Sequence, residues 1–317
     1  HIGSHGSPTI AHMQLAAGGT VGGITTSTLG QAEIFAASGF TDITIANILV
    51  TPIKITRLCA LAQRVKTTVI VESYKNVNDI ATAATTHGVS VNVVVNINSK
   101  PSLTGIEPGE NAVKLATLAN KSSNLNFAGL MTYERSVPCD KAEHLDPNTH
   151  TSIQRVLNTS EALKILGIDV AVISVGGTYN YELAGRLPGV TEIPAGSYAL
   201  MDENYRQKRP QFANAARIMS CVTSTPEANQ IVTDAGRKTI GGDAGNPSVI
   251  DLPGATVRGL SAEHGTIDFD QAITHDLKLG DRVWFIPKDI AGCVNVHDYT
   301  HAIRGGKLEA VWELSAR

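Results

Sequence analysis

The sequence is poor in charge and in aromatic rings: Asp, Glu, Lys and Arg make up 17% of its 317 residues, and Phe, Trp and Tyr 5%. So little charge beside 42% apolar residues excludes a disordered chain and suits a large buried α/β core. Neither sign dominates. A formal charge of -3 leaves no electrostatic footprint for nucleic acid or an anionic membrane, so neither is expected as a partner. Cysteine is scarce as well. Cys59, Cys139, Cys221 and Cys293 stand far apart without a CxxC spacing. That excludes a disulfide framework and points to a reducing, cytoplasmic setting. No apolar run reaches the roughly 18 residues that would span a bilayer.

What the sequence does have is alternation. Through the first two-thirds, short β-type runs are separated by helical patterns, the signature of a parallel sheet covered by helices. The predicted strands are residues 1–5, 23–27, 42–48, 68–73, 90–97, 127–133, 171–175 and 192–197. Val69-Ile70-Val71 and Val93-Val94-Val95 are apolar throughout, as strands buried on both faces are. Helices are predicted over 52–65 and 77–87, and Gly39, Gly88 and Gly167 stand where a left-handed helix cap is wanted. Eight such strands predict an α/β protein with an eight-stranded parallel β/α barrel over residues 1–205. Catalytic groups then belong at the C-terminal ends of its strands. Past residue 205 the texture changes to short strands (216–224, 230–234, 282–286, 293–296, 308–314) and Gly, Pro and Asp turns. This predicts a mainly antiparallel β domain over 206–317.

Particular residues resemble a known family. His1-Ile2-Gly3-Ser4-His5-Gly6 with the stretch from Pro8 is similar to the opening barrel strand and helix of the D-threonine aldolase/D-serine dehydratase family, of alanine-racemase-like fold. So are Thr28-Leu29-Gly30-Gln31-Ala32-Glu33, Ser174-Val175-Gly176-Gly177-Thr178 and Pro194-Ala195-Gly196-Ser197-Tyr198. In the second domain the matches are Asp234-Ala235-Gly236-Arg237-Lys238, Leu260-Ser261-Ala262-Glu263-His264-Gly265 and the closing Trp312-to-Arg317 stretch. The resemblance covers nearly the whole chain in the family's order. It implies a pyridoxal-phosphate (PLP) site at the barrel mouth, a homodimer, and a further N-terminal segment that this sequence does not contain.

The departures fall on the chemistry. The family's first strand carries two lysines, the first of which forms the Schiff base with PLP; the aligned residues are Gly3 and Gly6. Glycine can neither hold an aldehyde nor move a proton. An arginine of the family near the cofactor ring aligns with Leu103, and its Tyr-x-Gly-His is Tyr133-Glu134-Arg135-Ser136 here. The family's paired metal ligands align with Asp289 and Ala291, and one carboxylate is a poor zinc site, so no metal is expected. No cofactor is expected either, since PLP is possible only without its usual lysine linkage. Gly3-Ser4-His5-Gly6-Ser7 also has the look of a tag remnant; the register of His1, His5 and Pro8 favours native sequence.

Candidate residues follow, each beside a plainer reading. Gly176, Gly177 and Thr178 offer backbone N–H groups to a phosphate, as their family counterparts do; a tight strand-to-helix turn is the alternative. Tyr198 would line the same pocket or simply pack. Tyr133, Glu134 and Arg135 place a phenol, an acid and a cation after the sixth strand, or form a solvated ion pair. Glu72 ends the fourth strand, as a catalytic acid or as a capping carboxylate. His5, beside the vacated lysine position, is the nearest base or a structural histidine. Lys100 and Lys238 are weak substitutes for the missing lysine. His297, Asp298 and His301 would not share one face of a strand, which excludes them as a metal site. The expected function is a diverged family member acting on a small molecule as a lyase, isomerase or cyclase without a lysine–PLP Schiff base. Two alternatives are a PLP-dependent D-amino acid lyase with its lysine removed or supplied elsewhere, and a non-catalytic binder of a phosphorylated ligand.

Overall fold

The computed structural model describes residues 1–18, 20, 22–99, 104–133, 147–270 and 276–316, with residues 147 and 148 described by their backbone alone. The chain forms two compact units. One comprises His1–Ile2, Ile10–Gly196 and Ala316; the other comprises Gly3–Thr9 and Ser197–Ser315.

In chain order the first stretch holds α1 (Pro8–Ala16), β1 (Ile24–Thr26), α2 (Leu29–Ala37), β2 (Asp42–Ile48), α3 (Pro52–Ala62), β3 (Lys66–Val71) and α4 (Tyr74–His87). It continues through β4 (Val91–Asn96), α5 (Glu110–Lys121), β5 (Leu125–Met131), α6 (Pro147–Ile165), β6 (Val172–Ser174) and α7 (Tyr181–Arg186). Local chemistry sets the helix boundaries. Thr28 and Ser73 accept the N–H groups of Gln31 and Asn76 as N-caps, Pro52 opens α3, and Gly88 closes α4 at φ 63°. The six strands pair in parallel in the order β1-β2-β3-β4-β5-β6. Val69, Val71, Val93, Val95 and Leu130 lie in the main core with helix residues such as Phe35, Leu58, Ile80 and Leu115. Their alternate neighbours Ile70, Val94 and Met131 form a separate small cluster with Ala46 and Ile48. The sheet therefore has an outer face against the helices and an inner face.

Among the described residues six parallel strands pair, where eight were expected. Residues 1–5 do not form a strand: Ile2 donates to Thr25 O at 2.9 Å, but residues 3–5 turn and Gly6 takes φ 56°. Two glycines in four residues leave the backbone free to do so. In residues 192–197 only Glu192 bridges, to Ser174. Pro194 has no N–H to donate, and Ser197–Ala199 is a 3-10 turn. The described residues thus form a parallel half-barrel of six strands covered by helices.

The second unit adds α8 (Glu203–Arg206), β7 (Ile218–Glu227), β8 (Gln230–Thr233), α9 (Arg237–Ile240), β9 (Ser248–Ile250), β10 (Ala255–Leu260), β11 (Gly265–Phe269), β12 (Arg282–Ile286), α10 (Ile290–Val294), β13 (Tyr299–Arg304) and β14 (Lys307–Glu313). One sheet runs β10-β11-β8-β7-β12-β9, and β13 pairs with β14 as a hairpin. Its recorded strand pairs are antiparallel, around Val222, Ile231, Ile267, Val283 and Phe285. The strand predicted over 293–296 is overturned: most of it lies in α10 or just past it, because Asp289 caps a helix ahead of those valines. No described helix is long and apolar enough to cross a membrane.

Candidate active site

Strand register lays out the inner face in layers. Ile48 pairs with Ile70, Ile70 with Val94, Val94 with Gly129, and Gly129 with Val172. One step toward the strand C-termini, Asn96 pairs with Met131, Met131 with Ser174, and Ser174 with Glu192. Paired residues of neighbouring strands point to the same face. Glu72 follows β3 with the parity of Ile70 and joins this second layer. An apolar layer thus lies beneath a largely polar one, at the end where parallel strands present functional groups.

Glu72 is half-buried and anchored at one oxygen only. Its Oε2 accepts the Gly105 N–H at 2.6 Å and the Asn96 amide at 3.3 Å. Among the described residues Oε1 accepts no hydrogen bond. The neck beyond β4 is fixed around this contact: Asn98 N–H reaches Ile106 O and Ile106 N–H reaches Asn96 O, both at 2.9 Å. Gly105 is required there, since a Cβ would lie 2.5 Å from Asn98 N and φ is 112°. Across the layer, Ser174 Oγ donates to Glu192 Oε1 at 2.7 Å. Glu192 did not stand out in the sequence; the signal, a carboxylate in the last predicted strand, becomes legible only once pairing places it beside Ser174.

Tyr133, with the parity of Met131, is 61% exposed beyond the layer, and its carbonyl accepts from Ser99 Oγ at 3.0 Å. Glu134, Arg135, Lys100 and Leu103 lie outside the described residues. His5 is fully buried, and its Nδ1 accepts the Ser7 N–H at 3.2 Å. That bond places the proton of a neutral His5 ring on Nε2. Gly176 and Thr178 are buried, and the Gly177 N–H donates to Asn180 Oδ1 at 2.9 Å. The turn satisfies one of its own donors. Tyr198 sits in a 3-10 turn with its ring 6.0 Å from that of Phe212. Lys238 is ion-paired with Glu263, and His297 Nε2 meets Thr239 O at 2.7 Å.

At the position aligned with metal ligands, Asp289 Oδ2 accepts the Gly292 N–H at 2.8 Å as the N-cap of α10. Nearby, Asp202 caps α8 and accepts the Ile290 N–H at 3.0 Å; burial pushes its carboxyl above the ordinary range, and the charge of Asp289 adds to this. No three His, Cys, Asp or Glu side chains come together as a metal site among the described residues. Asp289→Ala should therefore cost about 1 kcal/mol, the worth of a cap, in a urea melt. Metal content by elemental analysis should not change; a stoichiometric metal lost in the variant would contradict this assignment.

A Schiff-base-linked PLP does not fit these residues. Gly3 offers no amine, and in the phosphate cradle read at residues 176–178 the Gly177 N–H is committed to Asn180. Comparison with known proteins supplies the context. Residues 3–203 match the model of the alanine racemase N-terminal domain, and 215–303 that of a putative serine dehydratase domain. The chain is 30% identical over 328 residues to a 3-hydroxy-D-aspartate aldolase of Paracoccus denitrificans (strain Pd 1222), covering 100% of this chain and 84% of that protein. It is 30% identical over 322 residues to a D-threonine aldolase of Arthrobacter sp, with the same coverage of 100% and 84%. The crystal structure of D-threonine aldolase from Filomicrobium marinum superposes with a TM-score of 0.93 at 29% identity, over 100% of this chain and 86% of that one. The chain belongs to the family that joins an alanine racemase N-terminal domain to a serine-dehydratase-type domain, the family of these D-threonine and 3-hydroxy-D-aspartate aldolases.

Proposed function

We propose that this protein is a diverged member of that family which acts on a small molecule at the inner end of its parallel sheet. It works as a lyase, isomerase or cyclase, with side chains in place of a lysine-bound cofactor. The observation that carries this reading is Gly3, an amine-free residue in a turn where the resemblance calls for the Schiff-base lysine. Glu72 is the proton-transferring group. Its Oε2 is held by a backbone N–H and an amide, which fixes the carboxylate, and Oε1 remains to meet a substrate. The apolar layer below excludes water from the reacting face. We also read the inner face as part of an eight-position ring. The Ile2–Thr25 bond, the 2.8 Å contact of the His1 nitrogen with Ala195 O, and the Ser174–Glu192 bridge support that closure.

The names of the relatives favour a second reading, a PLP-dependent aldolase or dehydratase of hydroxy-D-amino acids. One experiment separates the two. Purified protein is mixed with PLP, scanned for the aldimine band at about 420 nm, reduced with borohydride and weighed intact. The expected result is no band and no added pyridoxyl mass. A stoichiometric reduced adduct, with cleavage of D-threonine, would establish the second reading instead.

A further inference from the structure

The inner face of the parallel sheet carries a second polar row, at the opposite end of the strands from Glu72. We infer that this row binds a neutral polyhydroxylated small molecule, a sugar or a polyol.

The register lays the row out. Thr25 pairs with Thr44, Thr44 with Thr68, Thr68 with Asn92, and Asn92 with Asn126. Thr68 stands two residues before Ile70 and Asn92 two before Val94, so the row shares the face of the apolar layer. Neighbouring side chains are about 4.8 Å apart, the spacing of paired strands, and Thr68 lies about 13 Å along β3 from Glu72. Valine would suit a buried strand as well as threonine does, and Val69, Val71, Val93 and Val95 fill the helix-facing side.

The hydroxyls are not used by the fold. Thr25 and Thr68 are each only 7% exposed. Among the described residues the hydroxyls of Thr25, Thr44 and Thr68 meet no hydrogen-bond partner. Their neighbours on the other face do: Thr26 Oγ1 donates to Thr44 O at 3.3 Å, and Thr67 Oγ1 to Val65 O at 3.1 Å. A buried hydroxyl left without a partner destabilises a fold, and two in one row call for a partner that the chain does not supply. The row is covered at Thr25 and Thr68. It opens where Thr44 and Asn92 are half-buried and Asn126 is exposed. There Asn126 Nδ2 donates to Asn92 Oδ1 at 3.3 Å and Asn92 Nδ2 to Thr67 O at 3.2 Å, which orients both amides.

The surroundings give the ligand class. On one side Ile70 and Val94, with Ala46, Ile48 and Ala128 around them, make an apolar floor. On the other, Asp42 and Lys66 pair in register and offset each other's charge at 2.8 Å. The row itself holds no charge, so an ion finds no opposite partner in it, and a purely apolar ligand leaves the hydroxyls unmet. A hydroxyl both donates and accepts. Sugars and polyols match both features, with C–H groups on the apolar floor and hydroxyls on the threonines.

Saturation-transfer NMR on the full chain, with D-glucose, xylitol and myo-inositol as probes, tests this. At least one should bind with a Kd between about 0.1 and 10 mM. Cyclohexanol, a ring with a single hydroxyl, and gluconate, a charged relative of glucose, should each bind at least about fivefold more weakly than the best probe. Thr44→Val and Thr68→Val remove hydroxyls while keeping shape and strand preference, and together they should weaken that probe about tenfold. Thr68→Val alone should weaken it about threefold without lowering the urea midpoint, since it deletes an unmet buried group; it decides the matter should the double variant not fold. Glu72→Gln should leave the affinity within about twofold. No binding by any of the three probes, equal binding of cyclohexanol or gluconate, an affinity unmoved by the valine substitutions, or one lost with Glu72→Gln would overturn the inference.

Discussion

Gly129→Ala destabilises the protein by at least about 3 kcal/mol, enough to deplete the folded state at 37 °C. The added methyl would stand 1.8 Å from the carbonyl oxygen of Val172, and backbone cannot yield as a side-chain tip can. Gly129 and Val172 are paired residues of β5 and β6, so relieving the clash means parting the strands that carry Met131 and Ser174. Gly177→Ala is the control. No atom lies within 4 Å of the Cβ it would gain, so its cost should stay within about 0.5 kcal/mol. Urea denaturation of both variants tests the pair. A Gly129→Ala loss below about 1 kcal/mol would mean that β6 shifts easily and that the Ser174–Glu192 contact is not a fixed part of the layer.

Glu72→Gln lowers proton transfer by on the order of 10²–10⁴-fold. Glutamine preserves volume and still offers an oxygen to Gly105 N–H, but its other terminus becomes an NH₂ donor that cannot accept a proton. The measurement does not require the substrate in advance. Candidate small molecules are incubated with protein in D₂O, and NMR follows replacement of an activated C–H by deuterium. Wild-type protein should exchange one class of compound, and Glu72→Gln should exchange it far more slowly, with its affinity little changed. Full exchange by the variant would remove Glu72 from the chemistry and leave it a strap for the neck at Gly105.

The runs that became strands were legible because β-branched and aromatic residues dominate them; residues 42–48 and 282–286 were placed to the residue. Of the helix ends, Gly88 was legible as a left-handed cap, whereas the caps Thr28 and Ser73 were not, Ser73 having read as the end of a strand. Where sequence reading missed, a local competitor won. The valines at 294 and 296 read as a strand, but the Asp289 cap imposed a helix. The opening histidines and Ile2 read as a strand, yet Gly3 and Gly6 turned the chain. The strands β10, β11 and β13 went unread because Gly259, Gly265 and polar alternation dilute their apolar pattern. Of the site, Glu72 could be placed at a strand end, but not its one-sided anchoring. Gly105 lies 33 residues away from it, and no spacing rule connects them. Glu192 escaped for the same reason: its partner is 18 residues off, on another strand.

The turn at residues 3–6 limits which substitutions the chain tolerates. Gly6 holds a left-handed backbone, where any other L-residue carries a penalty of roughly 1–2 kcal/mol. Asp289 caps α10, so a histidine in its place would forfeit about 1 kcal/mol. Placing at Gly6 and Asp289, one substitution at a time, the residues that the resemblance aligns there would therefore cross destabilised intermediates. Selection would see the cost of each step before its benefit.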